Sequence, residues 1–525
     1  MSDSRIKKSM KNTIFGLVGM ISMLIISFIS KTIFIKILGD ALNGVNYLFT
    51  GILNALNLAE LGFAGAVAFA LYKPLSTGDE ETISALMNLF KKFYRIVAII
   101  VTVVGLLCIP VLPYLIKEDF STLPFTLKEL KIYYSMFLAN TVLSYLLAYK
   151  RTIITADQDA YIVTTVDYAC NIALNIVQII LLILTKNYYW FLSIMLVKTV
   201  INNVILMLIA NKRYPYLKTY KNVKLVDEEK KKLYANVRAM MLHKFGTVII
   251  LNTSTIVVSA LVGVVENGLY GNYMMIANQG MAFVNIIFTS ITASAGNLCA
   301  EADLEKQIKI FNNMNYISLW IGYFAFVCLI CLFNPFIDIW LGEGKTFGMI
   351  TVFMITANQF VSYLRKSVQT FKDAKGIFRE DRFKPLIEAV VGISLAIGLG
   401  YVWGIFGILL GYTLATVLIA MPIEKWALFN KGLGISPNKY MLKDILIFAA
   451  SVLMSYLMYL LCNLMGDGFA WFIVKALTCL IIPNVVFILF TFKTDEFKYF
   501  FNIFTTTITR LKEKLFHKEK KASQE

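Results

Sequence analysis

The stretch LGDALNGVNYLF, residues 38–49, recurs 224 residues later as VGVVENGLYGNY, residues 262–273. Three positions are identical between the copies: Gly39, Asn43 and Gly44 match Gly263, Asn267 and Gly268. Each copy lies between two long apolar segments, as a short hairpin between membrane helices would. Glycine allows tight turns and positive φ, and asparagine tolerates the same backbone. The repeat predicts that one helical hairpin is built twice, with these six residues forming the turns.

A second echo supports an internal duplication. SYLLAYKRTIITADQDAYI, from Ser144, resembles SYLRKSVQTFKDAKGIF, from Ser362, at an offset of 218 residues. One duplication of about 220 residues, with small changes in loop length, explains both offsets. Each copy would contain six apolar segments, and an even number makes both copies enter the membrane from the same side. The sequence therefore predicts parallel repeats related by a pseudo-twofold axis along the membrane normal.

The composition is that of a membrane protein, with 58% hydrophobic residues, 16% charged residues and a mean hydropathy of +0.68. About fourteen runs are long enough to cross a bilayer, and they lack the alternation of barrel strands. The first run is too long for a signal peptide and stays as the first span. We predict an all-α polytopic protein with about 14 transmembrane helices, in two parallel six-helix lobes plus two C-terminal helices. The predicted divisions are a first lobe at 1–210, a basic linker at 211–244, a second lobe at 245–430, spans 13 and 14 at 431–492, and a basic amphipathic tail at 493–525.

The net charge of +17 follows the membrane topology. With both termini in the cytoplasm, 41 of the 50 Lys and Arg residues fall in cytoplasmic segments, 6 in outer loops and 3 in spans. This distribution follows the positive-inside rule, so the charge indicates orientation and contact with anionic membrane lipids rather than nucleic-acid binding. The protein is predicted to be a multi-pass protein of the bacterial cell membrane.

Motifs for catalysis or metal binding are missing from the apolar segments. The two histidines, His243 and His517, lie in cytoplasmic flanks, and no phosphate-binding Gly-rich loop is present. Cys328 and Cys331 form a C-x-x-C within a predicted span, which we interpret as buried packing residues. The sequence therefore predicts no enzyme activity, no cofactor and no metal site.

Polar residues follow one face of several predicted spans, where they are costly and usually face a partner or an aqueous cavity. Such stripes also occur as hydrogen-bonded contacts between helices. Together they predict a shared hydrophilic cavity whose cations suit an anionic, hydroxyl-rich ligand. The candidate ligand-binding residues are Ser27, Lys31, Asn54, Asn57, Glu60, Lys198, Asn278, Asn285 and Arg365. Glu60 and Asp167 are also candidates for coupling to H⁺ or Na⁺, or for pairing with the cations; the sequence leaves these roles open.

Several segments resemble bacterial polysaccharide transporters, the lipid-linked oligosaccharide flippases of the multidrug/oligosaccharidyl-lipid/polysaccharide (MOP) exporter superfamily. The resemblance covers nearly the whole chain and rests on the order of its motifs. These are FIKILGDALNGVNYLF from Phe34, LNLAELGFAGAVAFALYKPL from Leu56, YKRTIITADQDAYI from Tyr149, NPFIDIWLGE from Asn334 and AKGIFREDRFKPLIEA from Ala374.

The resemblance implies two six-helix lobes around a central cavity that opens alternately to each side of the membrane. Its substrate would be an undecaprenyl-pyrophosphate-linked sugar repeat unit, moved to the outer leaflet for capsule, exopolysaccharide or O-antigen synthesis. Lys31 matches a cationic cavity position of the family, where arginine is common. The polymerases and glycosyltransferases of such pathways are the partners that the resemblance suggests. In such a protein the hairpins at Gly39–Gly44 and Gly263–Gly268 would act as gates, separating when the cavity opens outward.

Other functions stay open at this stage. A lipid II flippase or a cation-coupled drug antiporter of the same superfamily would have the same architecture. A membrane polysaccharide polymerase or ligase is a more distant alternative, because such enzymes need sizeable outer loops and the outer connections here are short.

Overall fold

A computed structural model describes residues 2–57, 63–221, 223–227, 230–231, 234, 248–249, 252–301, 303–377, 380–503, 505–506 and 509. These residues form an all-α polytopic fold, as the sequence predicts. The helices are α1 (Ser2–Leu56), α2 (Phe63–Thr77), α3 (Glu80–Cys108), α4 (Leu127–Ala156), α5 (Ala160–Thr185), α6 (Tyr188–Arg213), α7 (Tyr216–Thr219), α8 (Asn252–Leu261), α9 (Val264–Glu301), α10 (Leu304–Leu341), α11 (Met349–Ala374), α12 (Lys384–Ala415), α13 (Met421–Trp426), α14 (Asn438–Asn463), α15 (Phe469–Thr491) and α16 (495–503).

Each of the fourteen predicted spans coincides with helix in the described part of the chain. Within it, eight helical segments are long and apolar enough to cross a membrane on their own. Two of these, Gly19–Leu56 and Lys384–Leu433, each include parts of two predicted spans, which are joined at Gly39 and at Gly404 by a single residue with non-helical backbone angles. Helices α4 and α11 are less apolar because tyrosine, amide and charged residues interrupt their sequences.

The described chain packs as two compact units, 1–275 with 382–415 and 276–381 with 416–525. In the first unit, α1 packs against α5, and α4 packs against both α3 and α6. Buried aromatic residues also join α1 to α6 and to α4. Phe34 meets Phe191 edge to face with 4.9 Å between ring centroids, and Phe49 meets Tyr134 at 5.2 Å. Such pairs contribute about 0.5–1.5 kcal/mol beyond the area they bury.

The second unit is built around α10, which packs against α11, α14 and α15. Phe326 lies edge to face with Phe360 of α11, with ring centroids 5.4 Å apart. At the other end of this core, Phe429 stacks on Tyr440 at 4.2 Å and contacts Phe311 at 5.1 Å. The two C-terminal spans are thus packed onto the ninth span.

The predicted divisions at 210, 244 and 430 follow the sequence repeat and remain predictions.

The internal repeat predicted from the sequence recurs in the backbone. Three pairs of residues with positive φ stand at the same two offsets as the sequence echoes. The pairs are Gly39 (80°) with Gly263 (150°) at 224, and Gln158 (64°) with Gly376 (69°) and Lys186 (49°) with Gly404 (57°) at 218. Non-glycine residues seldom adopt positive φ, so the recurrence at Gln158 and Lys186 is informative. The chain therefore turns at equivalent positions in both copies.

The predicted linker is described in part, at 211–221, 223–227, 230–231 and 234, whereas 235–244 lie outside the described residues. In its described part, α6 continues to Arg213 and is followed by the single turn of α7. The amide of Asn88, in α3, donates to the carbonyls of Tyr220 at 3.0 Å and Val223 at 3.2 Å. The linker is thereby held against α3. The C-terminal tail begins with α16, at the predicted start of an amphipathic helix; residues 510–525 lie outside the described residues.

Candidate functional site

The repeated motif that predicted two hairpins lies wholly within the first compact unit. At Gly39, φ is 80° and ψ is 177°, and the helix resumes at Asp40; at Gly263, φ is 150° and α9 begins at Val264. The prediction of positive φ is correct for these two glycines. It is wrong for the other four residues of the motif, because Asn43, Gly44, Asn267 and Gly268 are helical. Their conservation between the copies therefore has another cause.

That cause is a reciprocal contact between the two copies. The Asn43 amide donates to the carbonyl of Gly268 at 2.9 Å, and the Asn267 amide donates to the carbonyl of Gly44 at 3.2 Å. Both asparagine side chains are fully buried. We call these four residues the hairpin clamp. Its two halves are related as the pseudo-twofold symmetry of parallel repeats requires.

The glycines of the hairpin clamp permit the backbones to approach. A Cβ atom on Gly44 would overlap the carbonyl oxygen of Val264 and lie 3.0 Å from the nitrogen of Gly268. A Cβ atom on Gly268 would overlap the carbonyl oxygen of Asp40. Small residues at helix interfaces serve this purpose in membrane proteins generally.

Lys31 is attached to the hairpin clamp. Its ammonium group donates to Oδ1 of Asn43, the same side chain whose amide reaches Gly268, and Asp40 is the acidic group whose charge acts on it. In the second copy, Thr255 donates to Oδ1 of Asn267 at 2.9 Å. Lys31 and Thr255 are separated by the repeat offset of 224, so the two copies make the same bond with a cation in one and a hydroxyl in the other. Applying the offset to Lys31 would have found Thr255 from the sequence.

A third segment, the connection that follows α3, contacts the same end of the first unit. The carboxylate of Glu118 accepts from the backbone N–H of Val265 at 3.1 Å, at the first turn of α9. The hydroxyl of Ser259 donates to the carbonyl of Leu115 at 2.7 Å. A carboxylate at a helix N-terminus is favourable because it meets free N–H groups and the positive end of the helix dipole. The two hairpins and the segment that follows α3 therefore meet at one end of the first unit.

The polar stripe of the second span is partly exposed. Asn54 is exposed, Ser27 in the first span is half-buried, and Asn57 accepts a hydrogen bond from the hydroxyl of Tyr145 in α4. Glu60, predicted as both a ligand and a coupling residue, lies outside the described residues. Asn54 thus presents an exposed polar side chain, whereas Asn57 also serves as a helix contact.

Asp167 belongs to a network of three helices. It forms an ion pair with Arg151 of α4 and accepts from the amide of Asn202 of α6 at 2.8 Å. Arg151 belongs to the motif YKRTIITADQDAYI, and the sequence did not indicate its pairing with Asp167. The side chain of Asp167 is 24% exposed. Its role as a coupling residue remains a prediction, now with Arg151 as its counter-ion.

Lys198 has a neutral partner. Its ammonium donates to Oδ1 of Asn175 in α5 at 3.3 Å, and Asn175 is buried. This contact joins α5 and α6 at a point separate from the network of Asp167. An amide satisfies a donor of the ammonium without compensating its charge.

In the second unit, Arg365 pairs with Glu424, which was not among the predicted site residues. Its guanidinium donates to both carboxylate oxygens of Glu424, at 3.0 and 2.8 Å, and Gln369 donates to the same carboxylate at 3.2 Å. Glu424 is 2% exposed and Arg365 is 14% exposed. This bidentate geometry is the strongest form of such a pair. The remaining candidates in this unit are Asn278, which is exposed, and Asn285, which is half-buried.

The end of the first unit predicted to be cytoplasmic is rich in charged contacts. Arg213 pairs with Asp159 at 2.7 Å, and the hydroxyl of Tyr214 donates to the carboxylate of Asp157 at 2.9 Å. Burial, together with the nearby charge of Asp157, raises the pKa of Tyr214. Nearby, Asp79 caps α3 by accepting from the N–H of Thr82, which lowers the pKa of that carboxyl. These contacts secure the ends of α3, α5 and α6.

No family model and no curated protein matches the chain, but solved structures do. The lipid II flippase MurJ in an inward closed conformation superposes with a TM-score of 0.60 and 17% identity, over 91% of this chain and 98% of the flippase. An inward-facing multidrug resistance MATE transporter of the MOP superfamily gives 0.58 and 14%, over 79% and 97%. The Vibrio cholerae MATE transporter VcmN in its bent form gives 0.52 and 13%, over 83% and 99%.

These superpositions establish the class of fold. The chain has the all-α fold of MOP-superfamily transporters over most of its length. The fold that the sequence resemblance implied is therefore confirmed.

Proposed function

We propose that this protein is a flippase that moves polyprenyl-pyrophosphate-linked oligosaccharide repeat units from the cytoplasmic to the outer leaflet of a bacterial cell membrane. The observation that carries the proposal is Lys31, a cation in the first span of a flippase-like fold, bonded to the hairpin clamp. A cation inside an apolar span is costly, roughly 2.5–3.5 kcal/mol at the helix centre, so a cation in this span calls for a function. An anionic pyrophosphate is a ligand that would repay this cost.

The described charges favour an anionic substrate over a cationic drug. Asp167 and Glu424 are each paired with an arginine, whereas the ammonium groups of Lys31 and Lys198 each donate to an asparagine, with the charge of Asp40 also acting on Lys31. A cation-coupled antiporter for cationic drugs would instead present acids toward its substrate. The exposed amide of Asn54 suits a sugar, because it offers both a donor and acceptors.

The transport mechanism follows from the nature of the substrate. A sugar-pyrophosphate head group cannot cross about 30 Å of hydrocarbon unaided, whereas its polyprenyl tail can stay in the lipid. Alternating access would let the head group enter a polar cavity on one side and leave on the other. In this scheme the hairpin clamp holds the outer side shut until the head group has bound. Asp167 is the described candidate for H⁺ or Na⁺ coupling, and vesicles with imposed gradients would test it.

The two flippase substrates are distinguished by depletion. Cells depleted of the protein should accumulate an oligosaccharide-bearing polyprenyl pyrophosphate on the cytoplasmic leaflet, with loss of the corresponding surface polymer and normal peptidoglycan synthesis. Accumulation of lipid II instead would assign the protein to peptidoglycan export, the compatible alternative. If neither intermediate accumulates while polymer reaches the surface normally, the proposal is wrong. Partners in polymer synthesis, namely a polymerase and glycosyltransferases, belong to the same proposal.

A further inference from the structure

Three buried thiols meet in the second compact unit. Cys331 of α10, Cys462 of α14 and Cys479 of α15 have sulfur atoms that all lie within 4.8 Å of one another. Their side chains are 3%, 3% and 0% exposed. Their positions in the sequence did not indicate this cluster, because three separate helices contribute one cysteine each. Three of the chain's seven cysteines therefore converge on one point.

The spacing of the thiols fits a bound metal ion. The sulfur atoms of Cys462 and Cys479 are 3.9 Å apart. A disulfide bond would require about 2.05 Å. Two thiolates bound to one tetrahedral Zn²⁺ at about 2.3 Å stand about 3.8 Å from each other. The observed separation is close to that of two thiolates on one metal ion, and it also allows a hydrogen bond between the two thiols.

Two of the three thiols border a cavity with polar lining residues. Cys331 and Cys462 line a cavity of about 650 Å³ together with Asn334, Asp338 and Lys475. The exposed carboxylates of Glu343 and Asp467 also line it. Acidic groups at an opening attract cations toward the sulfur atoms. A buried cluster of thiols whose only purpose was packing would need no such polar approach.

We propose that Cys331, Cys462 and Cys479 bind a Zn²⁺ ion as three thiolates, with the fourth position filled by water from the adjoining cavity. Binding displaces three thiol protons into the cavity, so the three thiolates and the ion together carry a charge of −1. Lys475 lies one helical turn before Cys479 on the same face of α15, and its positive charge balances the site. Lys475 also contacts the exposed Asp467 at 3.4 Å, a pairing that solvent weakens.

The site would fasten the two C-terminal spans to the ninth. Its three ligands come from three helices, and no pair of ligands is closer in sequence than Cys462 and Cys479. A metal bound this way adds its binding free energy to the stability of the assembled helices. The interpretation of the cysteines as packing residues considered only Cys328 and Cys331 on one helix. Cys328 itself makes a different contact, donating to the carbonyl of Cys479 at 3.7 Å.

The test measures metal in the full-length protein. Protein purified from zinc-containing medium should contain one Zn²⁺ per chain by elemental analysis, and replacement by Co²⁺ should give a thiolate-to-metal charge-transfer band. Each of Cys331→Ser, Cys462→Ser and Cys479→Ser should lower occupancy at least tenfold. Cys328→Ser is the matched control on the same helix, and Cys108→Ser and Cys170→Ser are controls in the other unit; all three should retain the metal.

Two results would overturn the proposal. One is wild-type protein that takes up neither Zn²⁺ nor Co²⁺ while all its thiols remain reduced and reactive on unfolding. The other is a disulfide between Cys462 and Cys479, found by mapping peptides under non-reducing conditions. Metal content and disulfide mapping are both measured on wild-type protein. Poor folding of a serine variant would therefore affect neither measurement. The test is also independent of the transported substrate.

Discussion

Lys31 and Thr255 show that the two copies share a hydrogen bond but differ in charge. They occupy equivalent positions and make equivalent bonds to Asn43 and Asn267, yet only one carries charge. The hydrogen bond is therefore part of the architecture that the copies share. The charge is a feature of the first copy alone and is the part available for function.

This pair provides a substitution that separates charge from structure. In Lys31→Thr, the hydroxyl should keep the bond to Asn43, as Thr255 does with Asn267, but the charge is lost. We expect polymer export to fall about 10- to 100-fold at matched expression, since a hydrogen bond to a charged group contributes about 1.5–3 kcal/mol. Lys31→Arg should retain most of the activity. Thermal unfolding of the purified Lys31→Thr protein should be close to that of wild type, and full export by this variant would exclude Lys31 as a pyrophosphate contact.

At the residue level, the sequence identified candidate site residues better than it identified the groups that they contact. Lys31 and Arg365 stood out because a cation in an apolar segment is conspicuous. Their partners are 12 and 59 residues away, and only the folded chain brings Glu424 to Arg365. Asn43 was attributed to the turn because asparagine favours turns, whereas its amide is used by a carbonyl 225 residues away.

At the level of helices, hydropathy was sufficient to locate the spans but not their joints. Every predicted span is helical in the described residues, because apolar segments of this length must satisfy their backbone groups internally. The joints at Gly39 and Gly404 are one residue long, which no apolar periodicity reveals. The second glycine of each motif, Gly44 or Gly268, is required by close contact between helices. The local sequence does not reveal that contact.

Gly44 provides a test of that contact. Alanine normally stabilises a helix relative to glycine by about 0.5–1 kcal/mol, but at Gly44 its Cβ would meet the backbone of Val264. We expect Gly44→Ala to lower the free energy of unfolding by about 1–3 kcal/mol, the usual cost of overpacking. Gly398→Ala, in a helix of the same unit with open space around it, should not lower it. The free energy of unfolding of both purified variants should be measured against that of the wild type. Equal stabilisation by both substitutions would show that the hairpins do not pack this closely.

For the whole molecule, the sequence predicted the duplication and the class of fold. The same offsets relate sequence echoes, positive-φ turns and reciprocal hydrogen bonds, which is more than similarity of sequence alone could establish. The compact units follow packing rather than the repeat, so residues 382–415 belong with the first unit although they lie in the second copy. Packing partners of this kind depend on tertiary contacts that a single sequence does not display.

The central claim is that the hairpin clamp opens and closes during transport. Ala41 and Val265 are equivalent positions, 224 residues apart, and both are half-buried beside the clamp. Spin labels introduced there through unnatural side chains would leave the native cysteines intact. Pulsed electron resonance on the reconstituted protein would then report the distance between the hairpins, with Gly398→Ala as a background control and Gly44→Ala as a variant expected to favour separation.

We predict a short distance in the resting protein, as in the structure, and a second, longer distance that becomes populated when lipid-linked substrate and the driving gradient are supplied. Gly44→Ala should increase the longer population even without substrate. A single short distance that is unchanged while the same vesicles transport substrate would contradict the account.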